Sequence, residues 1–346
     1  MNDHPPAADA SGAADAPRPA GATRWLRLLG RVAVTVVAAG VILRRVDPGQ
    51  ALELLRGAPW WAFAAPVAFM GGNAVVQGVR FQLLLRAGGV ALPLPRVVRI
   101  LLQAIFMGQV LPKVGAGVTL IAWLRRDTGR TDVVLGALVI ARFFEVFVMT
   151  LLLLYALWWG VGGRWPWVGA SAGMFAAAFS AFIVLSLAAS HLGERIVRWV
   201  PIARAQDHVR AFGTALKAIG GDGRRLALAG ALTLPLSAGN IAAAWVALHA
   251  YGLTLPLSDA LALVPAMDSV ILLPITVSGV GLREGVFVYV LRDMGVTEAA
   301  AVAMALTRWT GELGRSALGG VLFLLDGKVG VRQAPSRGGG SATGEP

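Results

Sequence analysis

Charged residues inside apolar stretches are the first candidates for chemistry in this sequence. Arg142 and Glu145 are three positions apart, which places them on one face of a helix. Arg308, Glu312 and Arg315 share a face in a second apolar stretch. An arginine at the centre of a membrane helix costs a few kcal/mol, so we expect these side chains to face protein or water and to pair with each other.

Two interpretations of these arginines remain open. In the structural one, the ion pairs lock the two long helices to their neighbours. In the functional one, Arg142 or Arg308 holds the phosphate or carboxylate of a lipid headgroup, for which the planar guanidinium fork is well suited.

Glycine-bearing segments follow a helix-breaking proline at two places. After the second proline the chain reads Ser278-Gly-Val-Gly-Leu-Arg-Glu284, where glycines let backbone N–H groups approach an anion and Arg283 adds positive charge. The segment lacks the Gly-Lys-Ser/Thr ending of a nucleotide-binding loop, so we expect no use of ATP. Lys113 is the only charge in the first segment. We predict two broken or re-entrant hairpins, with tips at Pro112, Gly115 and Gly117 and at Pro274, Gly279 and Gly281.

Several other polar residues also lie within apolar stretches. Asn73, Gln77 and Arg80 fall on one helical stripe, and we favour hydrogen bonding between helices, with Arg80 at the cytoplasmic boundary, over a headgroup track. Asp268 is expected to pair with Arg283 or Arg308. The acids Glu145, Glu284 and Glu312 would hold arginines in place or take up protons.

Composition identifies the class of protein that must position these residues. The 346 residues are 56% hydrophobic and 14% charged, with a mean hydropathy of +0.68, which predicts a polytopic all-α membrane protein. The absence of cysteine excludes disulfides and thiolate sites, and the four histidines are scattered, so we expect neither a metal nor another cofactor. Although the net charge is +12, the basic residues lie between apolar segments, which favours lipid contacts over nucleic acid.

The sequence contains two related halves. Leu111-Pro112 and Gly117 correspond to Leu273-Pro274 and Gly279, and further matches join the stretches that follow and precede them. These further pairs are Gly129 with Gly295, Thr131 with Thr297, Asp132 with Glu298, Arg142 with Arg308, Gly89 with Gly252, and Asn73 with Asn240. The pattern predicts an internal repeat.

The predicted organisation is a single membrane domain at 24–328 between disordered tails at 1–23 and 329–346. It contains about six membrane spans and the two hairpins. The repeats cover about 60–159 and 225–325, joined through a cytoplasmic amphipathic linker at 191–224. Placing both termini in the cytoplasm puts most basic residues inside. The first repeat then begins outside and the second inside, so the halves are predicted to be inverted, as in many secondary transporters.

At these residues the chain resembles the lysylphosphatidylglycerol synthase transmembrane-region family, also described as flippase-like membrane proteins. The resemblance covers about 25–328 and rests on Arg80 ahead of Leu83-Leu-Leu85, on the two proline-glycine segments, on Gly295, and on Arg142, Glu145 and Arg308. It implies a multi-pass inner-membrane protein. In multidomain members such a region is thought to move aminoacylated phospholipid between leaflets beside a soluble synthase domain. Stand-alone members are linked to hopanoid, isoprenoid-lipid or archaeal glycolipid pathways.

Two features depart from the family pattern. We expect no soluble synthase domain in this chain, so the synthase activity is not transferred to it. The first hairpin also reads Gly117-Val-Thr-Leu where a charged residue would be expected soon after the glycines.

The sequence therefore predicts translocation of a lipid with an anionic or zwitterionic headgroup, whose phosphate is bound by Lys113, Arg142, Arg283 and Arg308. Two alternatives remain: a membrane-embedded lipid-modifying or glycosyl transferase using Glu284 or Asp268 as base, and a non-catalytic partner in a lipid-biosynthesis complex. The expected partners are membrane lipids, with a separately encoded lipid-biosynthetic enzyme as a further candidate. The oligomeric state does not follow from the sequence.

Overall fold

The computed structural model describes residues 47–110, 114–199, 203–271 and 282–329, and within these segments all regular structure is α-helical. The first predicted span, both predicted tails, and the hairpin-tip residues Pro112, Lys113, Pro274, Gly279 and Gly281 lie outside the described residues.

Two successive groups of helices have the same order. Each consists of a long helix, two short helices and a second long helix. The first group is α2 (Trp60–Ala87), α3 (Leu94–Val110), α4 (Val114–Thr128) and α5 (Thr131–Trp158), preceded by the short α1 (Pro48–Gly57). Three helices link the groups: α6 (Val161–Arg164), α7 (Pro166–Trp199) and α8 (Ala203–Gly221). The second group is α9 (Gly223–Ala231) continued by α10 (Thr233–Ala250), then α11 (Leu257–Ile271), α12 (Leu282–Arg292) and α13 (Glu298–Val329).

Left-handed glycines mark equivalent turns in the two groups. Gly89 and Gly252, with φ of 82° and 80°, end the first long helix of each group. Gly129 and Gly295, with φ of 66° and 78°, lie between the second short helix and the last long helix. Because residues with a side chain rarely adopt this φ, glycine is needed at each of these turns. The glycines matched in the sequence therefore occupy equivalent turns in the two groups.

The equivalent helices α2 and α10 run antiparallel. Asn73 of α2 contacts Leu236 and Gly239 of α10, whereas Arg80, two turns further along α2, contacts the earlier residue Thr233. The packing of the other helices is reciprocal, since α3 packs against α13 while its counterpart α11 packs against α5. Such an exchange is what a two-fold axis between the groups produces. Antiparallel equivalent spans correspond to the predicted inverted repeat.

Glycines of α13 allow close contact with the first repeat. A side chain at Gly311 would lie 2.6 Å from the carbonyl oxygen of Pro66, and one at Gly319 would overlap the carbonyl oxygen of Leu102. Small residues at such contacts let helix backbones approach closely, which is how membrane helices gain packing energy.

Four described helical stretches are long and apolar enough to cross a membrane: Trp60–Ala87, Thr131–Trp158, Pro166–Val184 and Gly223–Ala250. Six spans were predicted, and the first of these lies outside the described residues. The last, α13, is long enough at 32 residues but carries charged residues through its middle. Helices α3, α4, α11 and α12 have 17, 15, 15 and 11 residues. At about 1.5 Å per residue, each is shorter than a hydrocarbon core of about 30 Å, as expected for the arms of hairpins.

Replacing Gly319 with alanine should destabilise the protein, because the new methyl group must displace the backbone of Leu102. We expect a loss of about 1–3 kcal/mol in the free energy of unfolding, measured by denaturant titration in detergent. Gly173→Ala in α7 is the control, since nothing lies within 4 Å of that site and alanine favours a helix. Equal stability of the two variants would contradict this account of the contact between α3 and α13.

Candidate functional site

A charged cluster joins the two long helices of the first repeat. Arg80 of α2 forms an ion pair with Oε1 of Glu145 in α5, and its Nη1 donates to Oγ1 of Thr233 in α10 at 3.3 Å. The Arg80 side chain is only 2% exposed. The other oxygen of the same carboxylate, Oε2 of Glu145, accepts from Nη1 of Arg142 at 2.6 Å. Two guanidinium groups therefore share one carboxylate, which leaves this group of residues with one excess positive charge.

Arg142 occupies an unusual environment. Its side chain is 76% exposed, although it belongs to a helix that is long and apolar enough to cross a membrane. It lies about 17 Å from the start of a helix about 42 Å long. A guanidinium exposed at that depth needs water or a polar ligand beside it, because contact with lipid tails alone is strongly unfavourable.

The second cluster is built on the equivalent arginine. Nη2 of Arg308 in α13 donates to both carboxylate oxygens of Asp268 in α11, at 2.7 and 2.8 Å. Nδ2 of Asn240 in α10 donates to Oδ2 of Asp268 at 3.2 Å. The Arg308 guanidinium also lies 6.0 Å from the centre of the Phe287 ring. Arg308 is 8% exposed and Asp268 14%, so this cluster is buried and its pair is neutral.

Helix α10 carries a contact to each cluster. Thr233 and Asn240 are seven positions apart, which places them on the same face of α10 about 10 Å from each other. Between them, Nδ2 of Asn73 in α2 donates to the carbonyl oxygen of Leu236 at 3.0 Å. Gly239 leaves room for this amide, since a side chain there would overlap Asn73. A row of polar groups therefore follows α10 from the first cluster to the second.

Three arginine Nε atoms within this bundle are buried and have no hydrogen-bond partner in the described structure. They belong to Arg80, Arg308 and Arg315. Nη2 of Arg315 donates to Oε2 of Glu312 at 2.5 Å, one turn away on α13. Buried donors of this kind favour the approach of a further acceptor, whether from water or from a ligand.

Several of the pairings expected from the sequence are present. Arg142 pairs with Glu145, Arg315 with Glu312, and Asp268 with Arg308, one of its two expected partners. Asn73 bonds to a neighbouring helix as predicted, and Gln77 is half-buried. Arg80 is buried and bound to Glu145, a partner that the sequence did not indicate.

The hairpin-tip residues are described only in part. Gly115 and Gly117 lie in the first turn of α4. Arg283 and Glu284 lie in the first turn of α12, where the structure describes their backbone only. Sequence reasoning did not identify Thr233 or Asn240 as members of the clusters. For Asn240, the one signal in the sequence was its match to Asn73 in the first repeat.

The two ends of the helix bundle differ in charge. Ionic contacts join the start of α3 to the ends of α4 and α13, and the end of α2 lies against α5 and α8. Basic residues predominate at this end, which we call the basic end: Arg86, Arg96, Arg99, Arg125, Arg126, Arg130, Arg224 and Arg225 against Asp127, Asp132, Asp222 and Asp326. At the opposite end acids predominate: Asp47, Glu53, Asp259, Asp293 and Glu298 against Arg56, Arg164 and Arg292.

Within the described segments, no group of histidine and carboxylate side chains is arranged to hold a metal ion. The two clusters themselves offer arginine and carboxylate groups, which bind and release anions or exchange ion-pair partners.

Long apolar helices, an internal two-fold exchange and charged clusters at depth define a multi-pass, all-α membrane protein. Comparison with protein families is more specific. Residues 28–308 match the family described as "Lysylphosphatidylglycerol synthase TM region", and the chain belongs to that family. No curated protein and no solved structure matches the chain.

Neutralising Glu145 should destabilise the fold, because Arg80 would remain buried without a carboxylate. We expect Glu145→Gln to lower the free energy of unfolding by about 3–5 kcal/mol. The double variant Arg80→Met with Glu145→Gln removes both partners and should recover most of that loss. A double-mutant cycle in detergent measures the coupling, and simple additivity of the two changes would contradict it.

Proposed function

We propose that this protein moves a lipid with an anionic or zwitterionic headgroup between the two leaflets of the membrane. The headgroup passes through the polar interior of the bundle while the acyl chains stay in the surrounding lipid. Membership of a flippase-like membrane family supports the proposal, and the geometry of the first cluster adds a physical reason for it.

The observation that carries the proposal is the state of Arg142. This guanidinium is largely exposed in the middle of an apolar spanning helix, and the carboxylate it contacts is already bound to Arg80. Glu145 supplies one negative charge for two cations, so a phosphate beside Arg142 would balance the cluster. Arginine binds phosphate through two parallel hydrogen bonds, and Arg142 uses Nη1 for Glu145, which leaves its Nη2 and Nε for a ligand.

The second cluster has a different role in this proposal. Arg308 is buried and neutralised by Asp268, so it binds a headgroup only when that ion pair opens. Exchange of Arg308 between Asp268 and a phosphate would let the same lipid be released from one half and bound by the other. Lys113 and Arg283, at the predicted hairpin tips, are proposed as further headgroup contacts. The driving force is the lipid's own gradient or an ion gradient acting on the buried acids.

The membrane orientation is also proposed. Positively charged residues flank membrane helices mainly on the cytoplasmic side, so the basic end should face the cytoplasm, with the protein in the inner membrane. Helix α13 ends there, which places the C-terminus inside. Residue 47 lies at the opposite end, so the predicted span at 25–43 would return the N-terminus to the cytoplasm.

Arg142→Gln should abolish most lipid translocation. The purified chain would be reconstituted in liposomes with a fluorescent phospholipid, and the initial rate of its movement would be followed by quenching from outside. We expect a fall of about tenfold or more, since one lost charge-assisted phosphate contact costs about 1.5–3 kcal/mol. Arg130→Gln is the matched control, because Arg130 immediately precedes the same helix, is 54% exposed and pairs with Asp132.

The outcomes of this assay separate the alternatives. Chemical modification of the lipid during the assay would identify a transferase instead. Unchanged translocation in Arg142→Gln would refute the role of this arginine, and no translocation by the wild type would favour a non-catalytic partner.

Single cysteines should report the orientation directly, because the natural chain has none. In intact cells, a membrane-impermeant maleimide should label Glu53→Cys and should not label Arg130→Cys until the membrane is opened. Both positions are exposed, so a difference in labelling reflects the side of the membrane. Labelling of Arg130→Cys from outside would reverse the proposed topology.

A further inference from the structure

A groove between α3 and α13 opens at the basic end. Its volume is about 610 Å³, and its walls are mainly apolar, with Leu94, Val98 and Leu102 on one side and Leu322 on the other. Arg96 and Arg99 also line it, with side chains that are 41% and 43% exposed. Exposed leucine and valine side chains continue along α13 beside the groove, at Leu318, Val321 and Leu325. A groove with apolar walls and two cations at its mouth is complementary to a phospholipid, which has apolar acyl chains and a negatively charged phosphate.

The two arginines of the groove are held by acids from neighbouring helices. Nε of Arg96 donates to Asp127 at the end of α4 at 2.6 Å. Nη1 of Arg99 donates to Asp326 near the end of α13 at 3.1 Å, and Nε2 of Gln103 donates to the same carboxylate at 2.8 Å. The hydrogen bond with Asp127 raises the pKa of Arg96. Asp326 thus provides an anion beside both arginines, since Arg96 also lies 3.9 Å from it.

The equivalent place in the second repeat has the opposite charge. There α11 packs against the end of α5 as α3 packs against the end of α13. The position that matches Arg96, three residues after the matching prolines Pro93 and Pro256, is Asp259. Asp259 accepts from Nε1 of Trp159 at 2.8 Å. The two ends of the bundle therefore have the same packing with a cationic contact at one and an acidic contact at the other.

We propose that the groove between α3 and α13 is a docking site for an anionic phospholipid of the adjacent leaflet. The phosphate lies between Arg96 and Arg99, where it takes the place of Asp326, and one acyl chain lies between Val98 on α3 and Leu322 on α13. The choice of occupant follows from charge, because the groove opens among the basic residues of that end, and from the apolar walls, which a soluble anion would not need. The acidic counterpart at the other end repels the same headgroup.

This inference rests on the proposed function and deepens it. Docking in this groove would bring the lipid from the leaflet to the bundle before its headgroup moves inward to Arg142. Displacement of Asp326 would also remove the ionic contact that joins α13 to α3 at this end, so lipid docking would loosen the two repeats there. The difference between the ends gives the transport a preferred side of uptake.

The test measures lipid retention by the full chain in detergent, without any need for translocation. The protein would be incubated with equal amounts of phosphatidylglycerol and phosphatidylcholine, and the bound lipids would be counted by native mass spectrometry. We expect the wild type to retain the anionic lipid preferentially. The double variant Arg96→Gln with Arg99→Gln should lower that preference about fivefold or more, since each arginine near a lipid surface contributes to anionic binding.

Two further variants test the geometry even if the double variant folds poorly. Asp326→Asn should raise retention of phosphatidylglycerol, because the competing carboxylate is lost while both arginines remain. Leu322→Trp should lower it by filling the groove with the charges unchanged. Arg130→Gln is the control and should leave the ratio at the wild-type value.

Specific results would overturn the proposal. Unchanged retention in the arginine double variant, or a fall in retention in Asp326→Asn, would remove the groove as a lipid site. Loss of retention in Arg142→Gln with normal retention in the groove variants would place the bound lipid in the interior instead. A protein that fails to move lipid in liposomes but shows the expected retention pattern would lose the proposed function and keep the docking site.

Discussion

The ion pair between the buried guanidinium of Arg80 and the carboxylate of Glu145 is the interaction on which both the fold and the site depend. Arg80 is almost fully buried, and a guanidinium in a medium of low dielectric constant requires a negative partner close by. Glu145 supplies this negative partner, and the hydroxyl of Thr233 from the second repeat accepts a hydrogen bond from Nη1 of Arg80. The three helices α2, α5 and α10 are therefore joined at one point. Because Glu145 serves Arg80, it neutralises Arg142 only in part, so the contact that stabilises the bundle also creates the excess charge of the site.

The repeats share a scaffold and differ in chemistry. Arg142 and Arg308 occupy matching positions, yet the first is exposed beside Glu145 and the second is buried beside Asp268. The position matching Glu145 in the second repeat is Gly311, which instead permits close contact with Pro66. The matching positions Arg96 and Asp259 likewise carry opposite charges. A symmetric fold with asymmetric side chains can keep two equivalent conformations while treating an anion differently in each half.

Local sequence signals predicted much of this structure because they depend on the backbone or on short spacing. The left-handed turns at Gly89 and Gly252 explain why the repeat is visible in the sequence, and the pairs of Arg142 with Glu145 and Arg315 with Glu312 follow from helical periodicity. The ion pair of Arg80 with Glu145 depends on how α2 packs against α5, across 65 positions of sequence, and no local pattern reports it. Nearby Arg86 made Arg80 look like part of a basic flank, although only Arg86 is exposed. Thr233 and Asn240 on α10 were not identified from the sequence for the same reason, because their hydrogen-bond partners lie on other helices.

The reciprocal packing of α3 on α13 and of α11 on α5 has a consequence for biosynthesis. Arg99 and Asp326 are 227 positions apart, so α3 leaves the ribosome long before its main partner exists. Helix α3 packs mainly against α13 of the second repeat, so one of its faces has no partner until that helix has been made. Final assembly is therefore a late step that begins when α13 is inserted.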